Sequence, residues 1–158
     1  MKAIAAVPTL LVAFLLVVPV YAQAGAGSAE PTGAGVLPGC QMVPRGSITP
    51  PDETLDPHVR ALSGAWEGTY GFSYFWLIVG NVSVGSADVF YGAVDTQRPF
   101  VASAIATIAE DGRLGWLRHV PVGRYELTLS SDNQQLTGFA ALPGGLERPV
   151  ALTRCTPQ

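Results

Sequence analysis

From Leu62 to Cys155, apolar residues recur at every second position in short runs, and turn-forming residues close each run. Side chains alternate faces at this period only in an extended strand, so the segment is committed to β-structure. In the first run Leu62, Trp66 and Tyr70 share one face, with Ser63, Glu67 and Thr69 on the other. Residues 75–84 read as one or two strands around Gly80-Asn81. Ala87, Val89 and Tyr91 then alternate with Asp88 and Phe90, and residues 100–109 run into Asp111-Gly112, a hairpin signal. Residues 114–117 return from that turn. Tyr125, Leu127 and Leu129 alternate with Arg124, Glu126 and Thr128 before Ser131-Asp132-Asn133 turns the chain into residues 135–142. Gly144-Gly145 leads to the last run, residues 149–155. Only residues 54–62 could add a helical turn. About eight short strands in sequential antiparallel order predict an all-β fold, an up-and-down antiparallel β-barrel whose closure removes exposed edges. A β-sandwich is the alternative, and the short sequential turns favour the barrel.

The first 60 residues are of another kind. Met1-Lys2, an apolar stretch over residues 9–20 and the small residues of Tyr21-Ala22-Gln23-Ala24 read as a signal peptide, residues 1–24, cleaved after Ala24 or Ala22. The apolar stretch is too short for a membrane anchor, has Pro8 and Pro19 at its ends, and has no basic residue after it. The expected location is therefore secreted or periplasmic, with no stable membrane insertion after cleavage. Leu37-Pro38-Gly39-Cys40 looks like a lipidation box but lies well beyond the apolar stretch. Residues 25–60 form a Gly/Pro-rich flexible leader. Its Gly25-Ala26-Gly27 and Gly33-Ala34-Gly35 have neither the strand before nor the helix after that a phosphate loop needs. The barrel is assigned to residues 61–158. A formal net charge of −3 removes the basic face that a nucleic-acid partner would require.

Cys40 and Cys155 are the only cysteines, and in an exported chain they are expected to form a disulfide. A redox or metal pair is the other reading, but no Cys-x-x-Cys supports it. His58 and His119 stand apart without a metal-binding spacing, so no metal or other cofactor is expected. No Gly-x-Ser-x-Gly occurs, and Asp88 and Asp95 have no spacing that would bring two carboxylates together. No residue is assigned a catalytic role. The aromatic residues carry the only binding signal: Tyr70, Phe72, Tyr74, Trp76, Tyr91 and Trp116 are candidates to line a small apolar ligand site, with Phe75 and Phe90 nearby. The competing reading makes these rings the core or an exposed rim. Gly64, Gly68 and Gly138 at inward positions would leave space for a ligand.

Leu62-Ser63-Gly64-Ala65-Trp66-Glu67-Gly68 at the domain start and Val150-Ala151-Leu152-Thr153-Arg154 at its end carry a resemblance. Together with Leu136-Thr137-Gly138 they resemble the small secreted bacterial lipocalin-like domains of the calycin superfamily. The resemblance covers residues 61–155 and implies a closed barrel in which Gly64, Trp66 and Arg154 are structural, Arg154 covering the Trp66 ring. It also implies a non-enzymatic role, binding a small apolar or amphipathic ligand or serving in the cell envelope. A protein-interaction module, such as an inhibitor of an exported hydrolase, is the rival expectation. An enzyme working with a pocket and one carboxylate is a third.

Overall fold

The computed structural model describes residues 40–41, 43–44, 48–94, 99–119 and 122–155. The expected signal peptide, most of the expected leader before residue 48 and Asp95 lie outside the described residues. Eight strands follow one short helix: α1 (Pro57–Arg60), β1 (Gly64–Tyr70), β2 (Ser73–Ser83), β3 (Ser86–Val94), β4 (Phe100–Ile108), β5 (Leu114–His119), β6 (Val122–Leu129), β7 (Gln135–Ala141) and β8 (Glu147–Arg154). Each strand pairs with the next and β8 pairs with β1, all antiparallel, so the sheet is a closed up-and-down barrel and not a sandwich. Among the described residues no helix is long and apolar enough to cross a membrane.

The helix forms where local chemistry allows it. Asp56 caps its N-terminus by accepting from the His58 amide at 2.8 Å, and Pro57 occupies the first turn, where its missing N–H costs nothing. Leu55, Val59 and Ala61 then pack against the barrel core, closing the end at which β1 begins and β8 finishes.

That end is locked by Arg154. Arg154 lies opposite Trp66 in the β1–β8 register, and its guanidinium carbon sits 4.1 Å from the Trp66 ring centroid. Its Nη1 donates to the Ser63 carbonyl at 2.9 Å, its Nε to the Asn133 carbonyl at 2.9 Å, and its Nη2 to the Ala61 carbonyl. Trp66 is fully buried, and its Nε1 donates to the Leu62 carbonyl at 3.2 Å. One cation thus ties the segment before β1 and the β6–β7 turn to the end of β8. The ring contact itself contributes about 0.5–2 kcal/mol.

Turn parity decides which residues face inward. Tyr70 pairs with Ser73 across a two-residue turn, so the inward positions change from even numbers in β1 to odd numbers in β2. Trp66 and Tyr70 therefore share the interior with Phe75, Leu77 and Val79, while Ala65, Trp76 and Ile78 form a separate cluster on the outer face. The leader covers that outer cluster. Val43 is fully buried there, Ile48 packs beside it, and Cys40 is joined to Cys155 in a disulfide spanning 115 residues of chain.

Gly68 and Gly138 do not leave room for a ligand. A Cβ on Gly68 would collide with the Ala151 carbonyl oxygen, and one on Gly138 with the Glu126 carbonyl oxygen. These glycines let neighbouring strands approach closely. Gly64 has a φ of +140° and a Cβ there would meet the Arg154 guanidinium, so its space is also taken.

Trp66→Ala is expected to lower stability by about 3–5 kcal/mol in urea unfolding, as for a buried Trp. Gly138→Ala should destabilise by more than about 2 kcal/mol, since the obstructing group is backbone. Native protein should show no free thiol, and replacing both cysteines with Ser should cost up to about 4–5 kcal/mol for so long a loop.

Candidate functional site

The barrel interior at the end away from α1 is filled by rings. Tyr125 is their hub: its ring lies 4.7 Å from Trp116, stacked at 8°, and 5.6 Å from Phe75, 5.5 Å from Tyr91 and 6.1 Å from Tyr70 between centroids. Tyr91 contacts Trp116 at 5.4 Å and Phe100 at 6.1 Å. Centroid spacings of this size are those of rings in direct contact, so nothing fits between them. Two cations cap the stack, Arg118 at 3.7 Å from the Phe100 centroid and Arg148 at 5.5 Å from that of Tyr70.

The six candidate aromatic residues therefore do not share one site. Tyr70, Tyr91 and Trp116 meet inside the barrel as expected. Tyr74 and Trp76 face outward, where Trp76 packs on Phe90 at 5.1 Å and the Tyr74 hydroxyl donates to the Glu67 carboxylate. Phe72 is at the tip of the β1–β2 turn and is fully exposed. Sequence reading missed Tyr125 as the hub, although its alternation with Arg124 and Glu126 placed it on the inward face.

Other candidates for chemistry are occupied or scattered. The Cys40 and Cys155 sulfurs and a Glu67 carboxylate oxygen lie within 4.8 Å of one another, but the sulfurs are joined and Glu67 also accepts from the Gln41 amide at 2.8 Å. Asp88 accepts from the Asn81 side chain at 2.7 Å. His58 rests against Gly112, and His119 ends β5.

A concave feature lies in the barrel wall. β4 pairs with β3 from Phe100 to Thr107, but meets β5 only at Thr107–Gly115 and Ile108–Leu114. Beyond those positions the strands part, leaving a groove of about 550 Å³ lined by Ser103, Ala104, Ile105, Thr107, Gly115, Trp116, Leu117 and Arg124. The Ile108 amide donates to Gly85 on the β3 side. Backbone groups alternate along a strand, so those of Val101, Ser103 and Ile105 point into the breach. The outward side chains there are apolar and open to solvent: Val101 is 62% exposed, Ile105 66% and Leu117 59%. Arg124, at the groove's far margin, pairs with Glu126 at 3.1 Å.

Burial pushes the Tyr125 hydroxyl up to about 12, against the opposing influence of Arg118, and raises Tyr91 as well. An unfolded Tyr ionises near pH 10. Between about pH 10 and about pH 12 the unfolded chain therefore binds fewer protons than the native one, and stability should fall as pH rises. Urea unfolding at stepped pH should show this loss, absent below about pH 9. Tyr125→Phe should weaken it, because the variant lacks the buried hydroxyl whose ionisation is held back in the native state. No family model matches the chain, and no curated protein or solved structure was found to be similar to it.

Proposed function

We propose that this protein is an exported, non-enzymatic binding module that takes up an extended polypeptide segment in the breach between β4 and β5. The observation that carries this reading is the edge of β4. Residues 100–108, Phe-Val-Ala-Ser-Ala-Ile-Ala-Thr-Ile, include no charge, proline or glycine. Exposed strand edges are ordinarily blunted by charges, proline or bulges, and this one has none. A strand added there would satisfy the backbone groups of Val101, Ser103 and Ile105, with side-chain contacts to Ile105 and Leu117 adding selectivity.

The filled interior supports a site in the wall over a carrier cavity. Kinship with lipocalin-like domains belongs to the same proposal. It is supported by the Gly64-Ala65-Trp66 motif, the Arg154 guanidinium over the Trp66 ring and the barrel order. A second reading, a small amphipathic ligand in the same groove, is favoured by its volume of about 550 Å³ and by the apolar wall that Ile105, Trp116 and Leu117 provide beside Arg124.

The test is selection of random 12-residue peptides on the mature protein, counter-screened on Ser103→Lys, which places a charge at the edge from an outward position. Peptides of alternating apolar pattern should be enriched on the wild type and bind Ser103→Lys at least about tenfold more weakly. Enrichment of nothing, together with a small molecule retained from a lipid extract in native mass spectrometry, would replace this reading with the second.

A further inference from the structure

We propose that the segment seated on this edge is β4 of a second copy, paired antiparallel about a two-fold axis at Ser103. The inference rests on the strand-addition reading and names its partner. The edge is self-complementary in its own sequence. Val101-Ala102-Ser103-Ala104-Ile105 reads β-branched, Ala, Ser, Ala, β-branched in either direction. Antiparallel pairing centred on Ser103 sets Val101 opposite Ile105 of the other copy and Ser103 opposite its own mate.

Chemistry at every level agrees with that register. The residues brought into these pairs, Val101, Ser103 and Ile105, are the ones whose backbone groups point into the breach, so each pair exchanges two hydrogen bonds. Ala102 and Ala104 alternate with them and face the barrel interior as part of the packing around the core. On the outer face the two-fold repeats one contact twice, a Val101 side chain beside an Ile105 side chain. Such cross-strand pairs of β-branched residues are favourable, and two facing serines can hydrogen-bond on the axis. Two-fold symmetry sets any charged position on the axis against its own like charge. An edge with no charge from Phe100 to Ile108 carries no such repulsion.

The rest of the wall does not compete. Among the described residues, apart from the β4–β5 divergence, each strand is paired with both neighbours. Among the described residues β5 leaves the first seven residues of β4, Phe100 to Ala106, unpaired on that side, and those residues contain the whole palindrome.

Sedimentation velocity on the mature, disulfide-intact protein should show a monomer–dimer equilibrium. Ile105→Lys should weaken it by about tenfold or more, because the charge displaces both Val101–Ile105 contacts. Cross-linking fixes the register. Facing Cα atoms in a hydrogen-bonded antiparallel pair lie about 5.5 Å apart, within disulfide reach. A Ser103→Cys variant should therefore form covalent dimers under mild oxidation. In Val101→Cys the two thiols would be more than about 13 Å apart along the strands, and cross-linking should be at least about tenfold slower. A monomer at high concentration, or equal cross-linking in the two variants, would overturn the second copy as the occupant. If selected peptides still bind the edge of that monomer, the strand-addition reading stands without this inference. If they do not, both fall.

Discussion

The structure depends on the closure of β8 onto β1, and that closure is concentrated where Arg154 meets Trp66. A sheet of eight sequential strands has two free edges until the first and last strands pair. Here the pairing runs from Trp66–Arg154 to Tyr70–Val150. The guanidinium covers an indole and donates to three backbone carbonyls, which would otherwise need water at the closed end of the barrel. Burial pulls the Arg154 pKa below the usual arginine range, yet so strong a base stays charged at any ordinary pH. The disulfide acts at the next residue. Cys155 follows Arg154 directly, its amide donates to the Ala65 carbonyl, and its sulfur holds the leader against the outer face of β1 and β2. Inside and outside are fastened at the same corner.

Closure also explains why the interior is full. Eight strands make a barrel just wide enough for side chains to fill. Gly68 and Gly138, which look like vacancies when read as small inward residues, are points where neighbouring backbones approach too closely for a methyl group. The rings of Tyr70, Phe75, Tyr91, Trp116 and Tyr125 then occupy the remaining volume. Among the described residues these rings touch one another with no gap between them, and the groove beside β4 lies in the wall instead.

Much of the fold was legible because its signals are local. Alternation placed the strands, and Asp111-Gly112 and Ser131-Asp132-Asn133 marked two turns; the contact of Trp66 with Arg154 is not local and was implied only by the resemblance to lipocalin-like domains. The failures came from information that one strand does not contain. Tyr70, Phe72, Tyr74 and Trp76 have the same parity, which in one unbroken strand would put them on one face. The two-residue turn Gly71-Phe72 reverses that parity, sending Tyr74 and Trp76 outward and Phe75 inward. Counting residues through the turn would have found this. The breach was not legible at all, because residues 100–108 read as an ordinary strand and nothing in their alternation states how far β5 follows them. Register between strands depends on side chains from both, and only pairing reveals it.

The parting of β4 from β5 follows from what each strand carries inward. Ala102, Ala104 and Ala106 give β4 a shallow inner face, whereas β5 directs Trp116 inward onto Tyr125 and sends Arg118 across to the Phe100 ring. Large groups on one strand and small ones on the other can fill the interior without bringing the backbones together. The span is therefore bridged by side chains inside and left open outside. A barrel normally escapes the hazard of a free edge by closing completely. This one closes through Trp66 and Arg154, then leaves an uncharged edge at Val101, Ser103 and Ile105, where a charge on any outward side chain would have protected it without disturbing the core. It is this unprotected edge, in a wall otherwise continuous among the described residues, on which the proposal of strand addition rests.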